Sequence, residues 1–127
     1  MAPGKKKILI VEDEPDFRTL IRDVLEDKGF EVSEAANGAQ GLSLYSSFQP
    51  DLVLLDIRLP DMDGIDICRK IRSDGPRRDT PVIMCTVNTE LTPINTGLNS
   101  GATDYILKPF EPEDLLARVR DALGLGD

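Results

Sequence analysis

The chain has 127 residues, of which 40% are hydrophobic and 30% charged, and its formal net charge is −8. This profile predicts one globular domain with its own core and excludes a disordered chain. No apolar run approaches the length of a membrane span and no signal peptide is visible, so we expect a cytoplasmic protein without a membrane partner. The acidic balance argues against direct binding to nucleic acid, which needs clustered lysine and arginine.

Two residue types narrow the chemistry further. Histidine is absent, so any bound metal is expected to be a hard cation held by oxygen. The two cysteines, Cys68 and Cys85, fall in a helical and a strand pattern. We interpret them as small buried residues of a protein in a reducing compartment, not as a disulfide or a metal-binding pair.

Strand and helix patterns alternate along the chain, which predicts helices on both faces of one parallel sheet. Short apolar runs between turn signals indicate the strands, and apolar residues at helical spacing indicate the helices. In chain order the predicted elements are strand Lys7–Val11, helix Pro15–Asp27, strand Glu31–Ala35, helix Ala39–Phe48, strand Leu52–Leu55, helix Gly64–Arg72, strand Pro81–Cys85, strand Thr103–Leu107 and helix Glu113–Leu123. Residues 1–6 are predicted to be a disordered lead, 7–123 the domain and 124–127 a tail.

The segment Thr89–Asn99 has the poorest helix propensity of any predicted helical segment. Pro93 cannot lie in a helix interior without loss of a hydrogen bond and a steric clash. We therefore expect a short helix that begins near Pro93, preceded by a mobile loop over Asn88–Thr92.

Polar residues follow the ends of the strands expected at the centre of the sheet. They are Glu12, Asp13, Asp56, Thr86 and Lys108. In open parallel sheets the ligand site lies beyond the carboxyl ends of the strands. Helix capping could explain the first two acids alone, whereas a carboxylate at the end of a buried strand is costly unless it is paired or metal-bound. Together these groups can hold a divalent cation and receive a phosphoryl group.

Four motifs make residues Lys6 to Leu123 resemble the receiver domains of bacterial response regulators. They are Ile-Val-Glu-Asp-Glu-Pro at 10–15, Leu-Leu-Asp-Ile-Arg-Leu-Pro-Asp-Met-Asp-Gly at 54–64, Thr86, and Gly-Ala-Thr-Asp-Tyr-Ile-Leu-Lys-Pro-Phe at 101–110. The resemblance implies an α/β, doubly wound, flavodoxin-like fold with a five-stranded parallel sheet of order 2-1-3-4-5. It also implies a two-component signalling switch that catalyses its own phosphorylation rather than a dedicated enzyme.

The resemblance further implies a role for each residue of the site. Asp56 would attack a phosphohistidine on a histidine kinase or histidine phosphotransfer protein and become an acyl phosphate. Mg²⁺, or Mn²⁺ in its place, would be held by the carboxylates of Glu12, Asp13 and Asp56 and the backbone carbonyl of Arg58, with water and phosphate oxygens completing an octahedron. Lys108 would pair with a phosphoryl oxygen.

Thr86 and Tyr105 would form the switch. On the resemblance, Thr86 moves toward the phosphoryl group and Tyr105 turns inward behind it. The alternative for Tyr105 is an ordinary strand residue with its hydroxyl in water. The output surface would comprise the segment Thr89–Asn99, the fifth strand and the last helix.

Two departures from the family pattern affect these expectations. Val87 stands where the family mostly has alanine or glycine, and we expect it, with Arg58 and Asn88, to modulate access to Asp56. Asp104, Arg118 and Arg120 match charges that one subfamily uses for dimerisation, but their partners Ile94 and Asn99 do not. The sequence therefore matches only one half of the charge pattern expected for a phosphorylation-dependent homodimer.

Three alternatives remain open from the residues. The first is an interaction scaffold that signals without phosphorylation, which only Val87 favours. The second is a phosphohydrolase, which commonly has a second aspartate where Arg58 stands. The third is a flavin binder, for which the acids at 12–14 would repel phosphate. The cognate kinase, the output partner and any effector domain are left undetermined.

Overall fold

The computed structural model describes residues 5–73, 79–86, 101–108 and 110–125. Of Thr86, only its place in a strand is described. Val87, Asn88 and the segment Thr89–Asn99 lie outside the described residues, so the expectations for them stay predictions.

Within the described ranges the chain forms five strands and four helices. In chain order they are β1 (Lys7–Val11), α1 (Pro15–Asp27), β2 (Glu31–Ala35), α2 (Gly38–Phe48), β3 (Leu52–Asp56), α3 (Gly64–Arg72), β4 (Val82–Thr86), β5 (Asp104–Leu107) and α4 (Pro112–Ala122). The predicted bounds of β1, α1, β2 and α3 are confirmed, and the ends of the other elements differ by at most one residue. None of these helices is long and apolar enough to cross a membrane.

The five strands form one sheet in the order β2-β1-β3-β4-β5. Every neighbouring pair is parallel. The α/β architecture and strand order implied by the resemblance are therefore confirmed. In this arrangement β1 and β3 are neighbours at the centre, so the residues that follow them are brought to one edge of the sheet.

Each face of the sheet carries its own hydrophobic cluster. On one face, strand residues such as Val53 and Met84 pack with Tyr45 of α2 and Ile67 of α3. On the other face, the strands pack with residues of α1 and α4, among them Ile21, Leu25, Leu115 and Val119. Full burial of such a side chain contributes about 1.5–3 kcal/mol. Because both faces are covered, β3 is buried at every position, which explains its uninterrupted apolar run.

Helix α1 begins and ends at the residues that its sequence indicates. Pro15 occupies the first turn, and the Glu14 carboxylate accepts hydrogen bonds from the backbone N–H groups of Asp16 and Phe17. Gly29 follows the helix with a φ of +90°, a conformation that glycine adopts readily. The capping residue is thus Glu14, which leaves Glu12 and Asp13 available for another role.

Candidate functional site

Three carboxylates converge where the two central strands end. Glu12 and Asp13 follow β1, Asp56 is the last residue of β3, and one carboxylate oxygen of each lies within 4.8 Å of the others. Glu12 is 2% exposed and Asp56 8%, whereas Asp13 faces solvent. Carboxylates this close repel one another unless a cation lies between or beside them.

Lys108 supplies one such cation. It follows β5, and its Nζ lies 2.5 Å from Glu12 Oε1 and 3.3 Å from Asp56 Oδ2. The side chain is only 12% exposed, so the ammonium and its two partners are partly screened from water. One ammonium beside three carboxylates leaves an excess of negative charge, which favours a further cation at this edge.

An aromatic pair lies next to the lysine. The Lys108 Nζ lies 4.5 Å from the centroid of the Phe17 ring, within the range of a cation–π interaction. Phe17 in turn contacts Phe110 edge to face, with centroids 5.4 Å apart. Phe17 lies on α1, and its contact with a lysine 91 positions later could not be predicted from the spacing of apolar residues along that helix.

Backbone groups orient two of the carboxylates. The N–H of Arg58 donates to Asp56 Oδ1 at 3.2 Å, and the N–H of Glu14 donates to Glu12 Oε2 at 3.2 Å. The first bond places the Ile57–Arg58 peptide beside Asp56, the region in which a carbonyl ligand from Arg58 is predicted. Hydrogen bonds of this kind hold each carboxylate in one orientation before any ligand binds.

The electrostatics of the buried pair follow from burial and proximity. Burial is the main cause that raises the pKa of Glu12, and the nearby charge of Asp56 adds to it, although the hydrogen bond from Lys108 opposes both. Burial works against the charged form of Lys108, but the hydrogen bond to Glu12 and the charge of Asp56 outweigh it and raise the pKa of the ammonium. Lys108 is therefore held as a cation.

The acidic cluster fits a hard divalent cation. Its donors are carboxylate oxygens, two of them buried and one exposed, and Mg²⁺ prefers a small number of carboxylates together with water and phosphate oxygens. The exposed position of Asp13 leaves the site open to solvent, as an ion that keeps several waters requires.

Tyr105 is buried in the core. It lies on β5, is 9% exposed and belongs to the cluster that faces α2 and α3, and burial raises the pKa of its hydroxyl. Thr86 is the last residue of β4 and is the register partner of Leu107, so it ends at the same edge as the acids. The switching role of these two residues stays a prediction.

The charges considered for a homodimer interact within the chain. The Arg118 guanidinium donates to Asp104 Oδ1 and to the carbonyl oxygen of Tyr105, both at 3.0 Å, which joins α4 to β5. Arg120 lies in the last turn of α4. Ile94 and Asn99 lie outside the described residues, so the dimer stays a prediction.

Two residues that contact the site or its loop were assigned no role from the sequence, although Asp61 lies within the motif at 54–64. Arg18 Nη1 donates to the carbonyl oxygen of Glu12 at 2.6 Å. Asp61, in the loop after β3, accepts hydrogen bonds from the N–H groups of Gly38 and Ala39 at the start of α2. In the sequence, Arg18 looks like any arginine on an amphipathic helix, and its partner is a backbone carbonyl that no residue type reveals. Asp61 looks like any aspartate in a turn, because its partners are backbone groups more than 20 positions away.

Comparison with known proteins identifies the family. The sequence model of the response regulator receiver domain matches residues 8–120. A curated relative, the DNA-binding response regulator MtrA of Mycolicibacterium smegmatis, is 42% identical over 119 residues, which cover 94% of this chain and 51% of MtrA. The chain thus spans about half the length of the curated relatives it matches.

Solved structures give the same result. A CheY-like response regulator receiver domain protein from Methanospirillum hungatei is 36% identical, with a TM-score of 0.88 and 95% of each chain covered. The receiver domain of sensor histidine kinase PA1611 from Pseudomonas aeruginosa, solved with magnesium coordinated in its active-site cleft, is 32% identical, with a TM-score of 0.87 and coverage of 95% of this chain and 99% of that one. The chain therefore belongs to the response regulator receiver domain family of two-component signalling.

Proposed function

We propose that this chain is a phosphoacceptor and that Asp56 receives a phosphoryl group from a phosphohistidine of a partner histidine kinase or histidine phosphotransfer protein. The observation that carries the proposal is the setting of Asp56. It ends a fully buried strand, beside two further acids and within 3.3 Å of the Lys108 ammonium. Family membership supports the same reaction.

The transfer requires a nucleophile and a leaving group. A carboxylate oxygen of Asp56 attacks phosphorus, the bond between phosphorus and the imidazole nitrogen breaks, and its electron pair leaves with the imidazole. The product is an acyl phosphate on Asp56, which water later hydrolyses to inorganic phosphate and free carboxylate. The bond from the Arg58 N–H to Asp56 Oδ1 orients the carboxylate and leaves its other oxygen, now paired with Lys108, as the candidate nucleophile.

A divalent cation is part of the proposal. Glu12, Asp13, Asp56 and the backbone carbonyl of Arg58 would hold Mg²⁺, with Mn²⁺ as a substitute. When bound, the ion offsets the repulsion between the incoming phosphoryl group and the acids. The magnesium in the solved receiver domain from Pseudomonas aeruginosa supports this assignment.

The remaining residues would bind and sense the phosphoryl group. Lys108, already charged and fixed between carboxylates, would donate to a phosphoryl oxygen. Thr86 would donate to another, and Tyr105 would follow its movement. Val87 and Asn88, with Arg58, would modulate access. We place the reaction in the cytoplasm, the reducing compartment that the sequence predicts for the two cysteines Cys68 and Cys85, both of which are buried.

Substitution of Asp56 tests the proposal. We expect Asp56→Asn to abolish phosphorylation by a phosphorylated histidine kinase in the presence of Mg²⁺, because the amide is a poor nucleophile. Phosphate-affinity electrophoresis measures the product. Asp66→Asn is the matched control, because Asp66 is an exposed aspartate of α3 with an ion-pair distance of 3.7 Å to Arg69, and it should be phosphorylated like the wild type. Wild-type phosphorylation of a folded Asp56→Asn variant would refute the assignment.

A further inference from the structure

Arg18 connects the acidic corner, formed by Glu12 and Asp13 after β1, to strand β2 at the edge of the sheet. It lies one turn into α1, and its guanidinium donates in two directions, to the carbonyl oxygen of Glu12 at 2.6 Å and to Glu34 Oε1 at 3.2 Å. The side chain is 20% exposed. A planar guanidinium bound on two sides loses most of its freedom, and this fixes the groups that it joins.

The bond to Glu12 completes a clamp on the backbone of that residue. The N–H of Glu12 donates to the carbonyl oxygen of Ala35 at 3.0 Å, and its carbonyl accepts from Arg18. The carbonyl belongs to the peptide that joins Glu12 to Asp13, so Arg18 sets the orientation of the link between the two acids. Asp13 is exposed, and the direction of its carboxylate therefore depends on the backbone that carries it.

Glu34 anchors the arginine and offers an internal control. Its other oxygen, Oε2, accepts a hydrogen bond from Arg22 Nη1 at 2.5 Å, so one carboxylate of β2 binds two arginines of α1. Arg18 contacts the Glu12 carbonyl, whereas the contacts of Arg22 are with Glu34 and with two acids of its own helix, Asp23 and Glu26. Loss of Arg22 should thus disturb the same carboxylate without releasing the acidic corner.

We propose that Arg18, anchored by Glu34, is a positioning residue for cation binding: it holds the Glu12–Asp13 peptide in the orientation in which both carboxylates face the ion. The inference rests on the proposed function, because the ion is the one assigned to Glu12, Asp13 and Asp56. Arg18 acts on the site by fixing the orientation of this peptide and not through its own charge, because Glu34 balances much of that charge.

The test compares Arg18→Gln with Arg22→Gln in the full chain. The Mg²⁺ dissociation constant is measured from amide chemical shifts in an NMR titration, and stability is measured by urea unfolding in chelator. Removal of an outer-shell partner commonly weakens metal binding by 10-fold or more, so we expect about tenfold weaker Mg²⁺ binding for Arg18→Gln. Arg22→Gln should bind Mg²⁺ with the dissociation constant of the wild type. Both variants lose a contact with Glu34, so we expect a similar decrease in the free energy of unfolding for each.

Each outcome bears on the inference. A wild-type dissociation constant for Arg18→Gln, or equal weakening in Arg22→Gln, would overturn it while the metal site itself stands. If Arg18→Gln does not fold, Arg18→Lys replaces it. Lysine lacks the planar fork with which arginine donates in two directions. We therefore expect the Arg18→Lys variant to bind Mg²⁺ more weakly than the wild type but more tightly than a protein without any cation at this position. A dissociation constant equal to that of the wild type would also overturn the inference. If the wild type shows no Mg²⁺-dependent shifts, the proposed cation site and this inference fail together.

Discussion

Gly64 shows how a single residue shapes the site. It begins α3, and its N–H donates to the carbonyl oxygen of Ile57 at 2.7 Å. A Cβ at this position would overlap the carbonyl oxygen of Asp56 and lie 2.8 Å from the Cα of Ile57. Glycine is required here because the helix start approaches the backbone that carries Asp56. Gly64, the last residue of the motif at 54–64, thus sets how closely α3 approaches the backbone of Asp56.

We predict that Gly64→Ala destabilises the fold by about 3 kcal/mol, the upper end of the usual cost of overpacking, because the obstacle is backbone and cannot rotate away. Urea unfolding measures the loss. Gly29→Ala is the control: Gly29 has a φ of +90° and open space around its Cβ position, so only conformational strain of about 1–2 kcal/mol is expected. A smaller loss for Gly64→Ala than for Gly29→Ala would contradict the close-approach argument.

At the scale of elements, the start of α2 is tied to the loop that follows β3. Asp61 Oδ1 accepts from the N–H of Gly38 at 2.7 Å, and Oδ2 accepts from the N–H of Ala39 at 2.9 Å. Both donors belong to the positive end of a helix dipole, where an anion is favourable. The helix also has a neutral cap, because Asn37 Oδ1 accepts from the N–H of Gln40 at 2.9 Å. The loop from Asp56 to Gly64 is therefore held at its middle by a neighbouring helix.

This contact predicts a pH-dependent contribution to stability. The hydrogen bonds from Gly38 and Ala39 favour the charged carboxylate and lower the pKa of Asp61 below its ordinary value of 3.8. The contribution is therefore present above that value and is lost as the pH falls through the lowered pKa. We expect Asp61→Ala to unfold at a lower temperature than the wild type at pH 7, and the difference to narrow below pH 3.8.

A neutral variant of the same helix provides the control. Asn37→Ala removes a cap that does not titrate, so its cost of about 1 kcal/mol should persist across the pH range. Melting temperatures of the three proteins between pH 7 and pH 3 give the comparison. If the Asp61→Ala difference stays constant like that of Asn37→Ala, the carboxylate does not stabilise α2 through its charge.

At the scale of the whole molecule, the acidic site brings like charges together, and their repulsion opposes folding. The chain carries a net charge of −8, and three acids of the site lie within 4.8 Å of one another. Lys108 balances only part of this charge. Folding assembles the site from β1, β3 and the end of β5, so an ion that binds it should stabilise the folded state as a whole.

We predict that Mg²⁺ raises the melting temperature of the wild type. An ion present at tenfold its dissociation constant should add about 1.4 kcal/mol to the free energy of unfolding. The reference sample contains chelator and sodium salt at the same ionic strength, which removes the general screening of surface charge. Asp13→Asn should lose most of the Mg²⁺-specific increase. An equal increase in wild type and Asp13→Asn would place the ion elsewhere.

Much of the architecture could be predicted because its signals are local. The apolar runs of β1, β3 and β4 are continuous because both faces of a parallel sheet are covered, and Pro15 and Gly29 mark the limits of α1 by their backbone preferences. The motif around Asp56 and the acids after β1 identified the family and, through it, the candidate site. These properties depend on neighbours along the chain, so they can be read without a structure.

The contacts within the site were decided by tertiary structure. Lys108 pairs with Glu12 across 96 positions of sequence, Arg18 reaches back to the Glu12 carbonyl, and Asp61 caps a helix that begins 23 positions earlier. Hydrophobic periodicity specifies which face of an element is buried, but it contains no information on which polar side chains meet once the faces pack. Distances of a few ångströms between such groups depend on sheet order, twist and helix placement together. The sequence by itself therefore determined the elements, the family and the residues to consider, and the tertiary structure determined which of those residues contact one another.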